Sequence, residues 1–182
     1  IRRIMENMSQ YKLNSIFLGT MVADTAHNPW KKQSIFDAII CDPPYGIREG
    51  ARKITSTDAS PFKKNGELRY PKTEPYDLSD IIVDLINFAV IHLRDKGRLV
   101  FWLPSPNETY KPQDIPNHPA MKIISISVQP FGKWSRRLIT MEKMERVNME
   151  NIGMENLDIS GLPNAKPAHS GFRDFYFKPK RS

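Results

Sequence analysis

The residues best suited to chemistry stand four in a row, Asp42-Pro43-Pro44-Tyr45. Two consecutive prolines hold φ at about −65° and remove two backbone N–H donors, so the carbonyls of such a turn are left as acceptors. The Asp42 carboxylate and the Pro43 carbonyl then make a pair able to take both hydrogens of an NH2 group. An exocyclic amine of a nucleic-acid base is a poor nucleophile, because its lone pair is delocalised into the ring. Binding both hydrogens draws the nitrogen toward tetrahedral geometry and turns the lone pair toward a sulfonium-borne methyl group. Orientation and electrostatic complementarity to the charged amine supply the acceleration, with no covalent intermediate or metal. Tyr45 offers a flat face for the base, a contact worth roughly 1–3 kcal/mol, and a base in a paired region must be flipped out to reach it. The plainer alternative is a strand that ends in a Pro-rich turn, with Asp42 as a cap and Tyr45 as packing.

The elements around the motif favour a site. Phe36 to Cys41 is a short, almost continuous apolar run, which predicts a strand covered on both faces and ending at Asp42, where open α/β sheets place their ligand crevice. Gly46 relieves the turn. Upstream, Ile4, Met8 and Tyr11 predict a short amphipathic helix over 2–12, and Ile16 to Val22 predicts a strand closing on Asp24. Downstream, 47–76 is a long polar loop with seven basic residues (Arg48, Arg52, Lys53, Lys63, Lys64, Arg69, Lys72) against four acidic ones (Glu49, Asp58, Glu67, Glu74), which suits contact with a polyanion. Leu78, Ile82, Leu85, Ala89 and Leu93 share one face of a helix over 78–94, capped by Asp77 or Ser79 and stopped at Gly97. Strands are predicted at Arg98 to Leu103, Met121 to Val128 and Arg137 to Met144, the last two joined across Gln129 to Arg136 as a hairpin. This order is that of an α/β sheet with an antiparallel strand near one edge. It divides the chain into a domain over 1–144 and a polar tail over 145–182.

Composition narrows the partners. Lys and Arg number 27 against 20 Asp and Glu, a net charge of +7, and the pI is about 9.5, which accords with a polyanionic ligand or simply with solubility. Cys41 is the single cysteine, so neither an internal disulfide nor a CxxC zinc pair can form, and His27, His92, His118 and His169 lack ligand spacing; no metal site is expected. No apolar run approaches the ~20 residues that span a bilayer, and no signal-peptide pattern opens the chain, so a cytoplasmic location is expected.

Longer stretches carry a resemblance to a family. Phe36 to Glu49 with its Gly-Ile-Arg-Glu extension, Gly97 to Pro104, and Ser135 to Lys143 resemble, in the same order, eukaryotic tRNA guanine-10 N2-methyltransferases. The likeness covers about residues 1–144, and His169 to Arg173 is similar to the family's tail. It implies a Rossmann-like class I S-adenosylmethionine methyltransferase fold. Asp42, Pro43, Pro44 and Tyr45 would hold the target amine of tRNA, with Asp24 at the cofactor adenine and Asp42 beside the cofactor. It also implies a small zinc-containing activator protein paired with a sheet edge, here Phe17 to Val22. The family's THUMP module, glycine-containing cofactor loop and acidic ribose-binding residue have no counterpart in these residues, so the fold would be incomplete and the chain inactive by itself.

Alternatives stay open beside this reading. Asp24, read from the residues alone, more simply caps a turn. Arg136 and Arg137, like Arg48, Arg52 and Lys53, are candidate RNA contacts, but a basic pair at a strand end is as readily solvated or paired with Glu. The run Phe172 to Lys178 either clamps RNA or packs on the domain. DPPY-type turns also serve adenine N6 and cytosine N4 methylation of DNA and, in related forms, a protein glutamine. A catalytically dead RNA-binding or scaffold subunit is the rival from another class.

Overall fold

The computed structural model describes residues 2–47, 50–55, 72–145 and 167–177. Helix α1 (Arg2–Gln10) is followed by strand β1 (Phe36–Cys41), a small hairpin of β2 (Arg52–Ile54) and β3 (Thr73–Pro75), helix α2 (Leu78–His92), strand β4 (Leu93–Pro106), a 3-10 turn at Pro112–Asp114, strands β5 (Met121–Phe131) and β6 (Trp134–Lys143), and a six-residue helix α3 (Phe172–Phe177). The main sheet has the order β1-β4-β6-β5, with β1 parallel to β4 and both remaining pairs antiparallel. The fold is thus mixed α/β with a mostly antiparallel sheet.

Burial of apolar area explains the arrangement. Leu78, Ile82, Leu85 and Ala89, spaced at helical intervals, are buried against Leu99, Phe101 and Leu103, which alternate along β4, and against Ile139 and Met141 of β6. Asp77 caps α2 by accepting from the Ser79 backbone N–H. The helix passes into β4 through a tight corner in which Lys96, at φ 64°, takes the left-handed conformation. Gly97 does not take it. A Cβ on Gly97 would lie 2.8 Å from the Arg94 carbonyl oxygen and 3.1 Å from that of Asp37 on β1, so the tight corner itself, pressed further by the β1 backbone, requires glycine there.

Three expectations need correction. Ile16 to Val22 is not a strand: Ile16, Leu18, Met21 and Val22 are exposed and have no ladder partner, so apolar composition there did not meet a neighbour to pair with. Strand β1 is not covered on both faces, since Ala38 is exposed and Ile40 is 81% exposed. The segment read as one long loop contains the β2–β3 pair, in register from Arg52 opposite Pro75 to Ile54 opposite Thr73; residues 56–71 lie outside the described set. The remaining differences are of length. Strand β4 extends beyond 98–103 at both ends, and β5 and β6 run through the expected connection to a two-residue turn at Gly132 and Lys133, where Gly132 has φ 72°. Among the described residues, no helix is long and apolar enough to cross a membrane.

Candidate amine-binding site

Asp42 follows the last residue of β1 directly, at the end where β1 and β4 run parallel with Cys41 opposite Phe101. Pro43 is buried and Gly46 turns the chain at φ 75°, as its position in the motif requires. The Tyr45 hydroxyl donates to Asp42 Oδ1 at 2.5 Å. Burial raises the Tyr45 pKa first, and the neighbouring carboxylate raises it further, so the phenol stays protonated and keeps donating. Burial and the Asp42 charge likewise raise the pKa of Cys41, which stays a thiol inside the strand.

These residues face a cavity of about 640 Å³ lined by Asp42, Pro44, Tyr45, Trp134, Arg136 and Tyr176, with Pro43, Ile47 and Phe131 completing it. Asp42 has not been drawn into a buried network. Its side chain is 58% exposed, and its second oxygen, Oδ2, lies 3.8 Å from Arg136 Nη1. Arg136 is itself held in place, by Gln129 Oε1 at 3.2 and 2.7 Å and by the rings of Trp102 and Phe131, 4.5 and 5.5 Å from its guanidinium carbon. Phe131 and Trp134 stack at 4.6 Å across the β5–β6 turn. The cavity is therefore a slot lined by aromatic rings with one carboxylate and one guanidinium among them, which suits a flat, polar-edged ring system.

Two parts of this wall were not legible as site residues. Phe131 and Trp134 fell in what the sequence presents as a hairpin connection, and only the longer strands bring them to the cavity. Helix α3 supplies Tyr176 and is pinned by Phe172, which is buried against Trp134 at 5.3 Å and meets Tyr45 edge-on at 6.4 Å. The aromatic run at 172–177 thus packs on the domain and in doing so forms the rim of the cavity.

Other candidates lie elsewhere. Asp24 accepts from the backbone of Ile54 at 2.8 Å and Ala26 at 3.0 Å and sits 3.5 Å from His27; burial opposes its charge, but these bonds more than compensate and lower its pKa. It anchors the β2 hairpin and caps a turn. Arg137, expected beside Arg136 as an RNA contact, is buried: its guanidinium donates to Ser105 Oγ and stacks on Tyr110, so alternation along β6 carries it to the opposite face. Arg52 donates to Thr73, and Lys53 pairs with Glu74 at 3.5 Å, both on the exposed hairpin. Arg52 also lines a second cavity, to which Pro44 and Tyr45 contribute as well. Arg48 lies outside the described residues. Among those described, no three His, Cys, Asp or Glu side chains gather as a metal-binding group.

His169, just before α3, is fully buried, and neither ring nitrogen has a partner among the described residues. Burial drives its pKa down to about 4, against a weaker upward pull from Asp114 and Asp77. The unfolded chain takes up the proton near the ordinary 6.5 and the folded one only near 4, so this stabilisation is complete above pH 6.5 and is lost as pH falls through that window. The loss amounts to about 3 kcal/mol at the acid end. Urea unfolding of the chain at pH 7 and pH 4.5 is expected to show it, and His169→Leu to remove most of the difference; equal pH dependence in both proteins would contradict the assignment.

Comparison with known proteins follows the same direction. No protein-family model matches the chain, and no solved structure matches it. It is 43% identical over 178 residues to the tRNA (guanine(10)-N(2))-methyltransferase of Schizosaccharomyces pombe, covering 97% of this chain and 37% of that protein. The human protein named tRNA (guanine(10)-N(2))-methyltransferase TRMT11 is 38% identical over 180 residues, 96% of this chain and 38% of its own length. Its namesake from Dictyostelium discoideum is also 38% identical, over 96% of this chain and 35% of that protein. The chain spans little more than a third of the curated relatives it matches.

Proposed function

We propose that this chain, related over nearly its whole length to part of the tRNA (guanine(10)-N(2))-methyltransferases, forms the portion of such an enzyme that grips the guanine N2 amine. One observation carries the proposal: the Asp42 carboxylate, oriented by Tyr45, is open to an aromatic-walled cavity at the end of a parallel strand. Oδ2 and the Pro43 carbonyl accept the two amine hydrogens, and the growing positive charge on nitrogen is matched by the carboxylate. Tyr45 serves as a wall for the base and, through its hydroxyl, as the group that fixes the carboxylate. The parallel pairing of β1 with β4, and the position of the motif, support a Rossmann-like methyltransferase fold.

The methyl donor in this reading is S-adenosylmethionine, and the described residues do not fit it by themselves. Asp24, the candidate for its adenine, is engaged with the β2 hairpin, and no Gly-x-Gly cradle occurs in the chain. An activator protein belongs to the same reading; the exposed Ile16, Leu18, Met21 and Val22 offer it apolar side chains, though not a strand edge.

The test compares the full-length protein and the 182-residue chain, each with S-adenosylmethionine, on unmodified tRNA and on duplex DNA. The full-length protein is expected to give N2-methylguanosine on tRNA and nothing on DNA, and the chain alone to give no product and no measurable cofactor binding. Methylated adenine or cytosine in DNA would favour the DNA-modifying alternative. Tight tRNA binding without product by the full-length protein would favour a binding subunit.

A further inference from the structure

We propose that Arg136 reads O6 of the target guanine and is the residue that sets the base specificity of the site; this rests on the function proposed above. Arg136 lines the same cavity as Asp42 and is braced so that its direction is fixed. Gln129 Oε1 takes Nε and Nη2, the rings of Trp102 and Phe131 lie 4.5 and 5.5 Å from the guanidinium carbon, the Tyr45 hydroxyl lies beside the group, and Nη1 is the edge toward Asp42. At 3.8 Å from Asp42 Oδ2 that edge forms an ion pair but is beyond hydrogen-bond reach, so each group keeps a hydrogen-bonding position open for a ligand edge.

A donor and an acceptor at this separation complement two groups that have a ring position between them. Guanine presents such a pair, the N2 amine as donor and O6 as acceptor with N1 between. On adenine the amine and the N1 acceptor are direct neighbours, so an adenine gripped by Asp42 leaves Arg136 facing no acceptor at the right spacing. The cost of leaving this donor edge without a hydrogen-bond acceptor in the slot is the source of selectivity. A phosphate-binding role fits the geometry less well, because the guanidinium is already engaged by Gln129, by the rings of Trp102 and Phe131 and by the Asp42 carboxylate, which repels a phosphate.

The experiment uses the full-length protein and tRNA carrying guanine, 2-aminopurine or 2,6-diaminopurine at the modified position. All three keep the 2-amine; 2-aminopurine lacks O6, and 2,6-diaminopurine puts a donor there. The wild type is expected to favour guanine by roughly 10- to 100-fold in kcat/KM over either analogue. Arg136→Met is expected to reduce that preference to within about threefold, and Arg136→Lys to an intermediate value. Each ratio is taken on one preparation, so it does not depend on the fraction folded. A wild type that methylates all three alike overturns the inference, as does an unchanged ratio in Arg136→Met or a uniform loss on every base with a shallower salt dependence, the signature of a phosphate contact. Failure of the wild type to methylate guanine at all overturns the proposed function as well, and is thereby distinguished from these outcomes.

Discussion

Asp42→Asn in the full-length protein is expected to lower kcat on tRNA by about 10²- to 10³-fold, the range found when a single group matched to transition-state charge is removed. The substitution keeps the shape of the side chain and an oxygen for the Tyr45 hydroxyl, which donates to Oδ1. What changes is the other end. Where Oδ2 accepted, an NH2 now points at an amine that also has only hydrogens to offer, and the negative charge opposite the developing ammonium is gone. Because the side chain is 58% exposed, the fold has little stake in it, and the unfolding midpoint should move by no more than an ordinary surface substitution would move it. Affinity for tRNA, distributed over many contacts, should change little, so the loss appears in single-turnover rate and not in Kd. A rate within tenfold of the wild type would show that the carboxylate does not hold the amine, and the site would have to be sought elsewhere.

The same residue shows how far a sequence can be read in this protein. The motif, its place after an apolar strand, the turn at Gly46 and the buried face of α2 were legible because each depends on local rules: proline geometry, strand length, helical spacing. The cavity was not, because its walls meet through tertiary pairing. Phe131 and Trp134 reach it only because β5 and β6 pair two or three residues further than their apolar cores require, over Pro130 opposite Ser135 and Phe131 opposite Trp134. Arg136 and Arg137 are indistinguishable in the sequence. Alternation along β6 sends one into the slot beside Asp42 and buries the other beneath Tyr110. Ile16 to Val22 failed in the opposite sense: its composition is that of a strand, but pairing needs a partner, and none of the described strands lies alongside it.

Phe172→Ala is the second change with a large expected effect, and its consequence should be confined to one wall of the site. A six-residue helix has no stability of its own in water, so α3 persists only through what it buries. Phe172, 1% exposed, is its one fully buried side chain, set against Trp134 and Tyr45. Truncating a buried phenylalanine to alanine costs about 3–5 kcal/mol, more than the remaining half-exposed contacts of Phe175 and Tyr176 can replace. The core around Leu99, Phe101 and Ile139 is built from α2, β4 and β6 and does not include α3, so the sheet should stay folded while the helix detaches. Hydrogen exchange of the full-length protein should then show residues 172–177 fully unprotected with β4 and β6 unchanged. KM for tRNA should rise as Tyr176 leaves the cavity rim, with Asp42 and Tyr45 still in place. Protection of 172–177 equal to that of the wild type would mean that something other than Phe172 holds α3 against the sheet, and global loss of protection would mean that α3 supports the core after all.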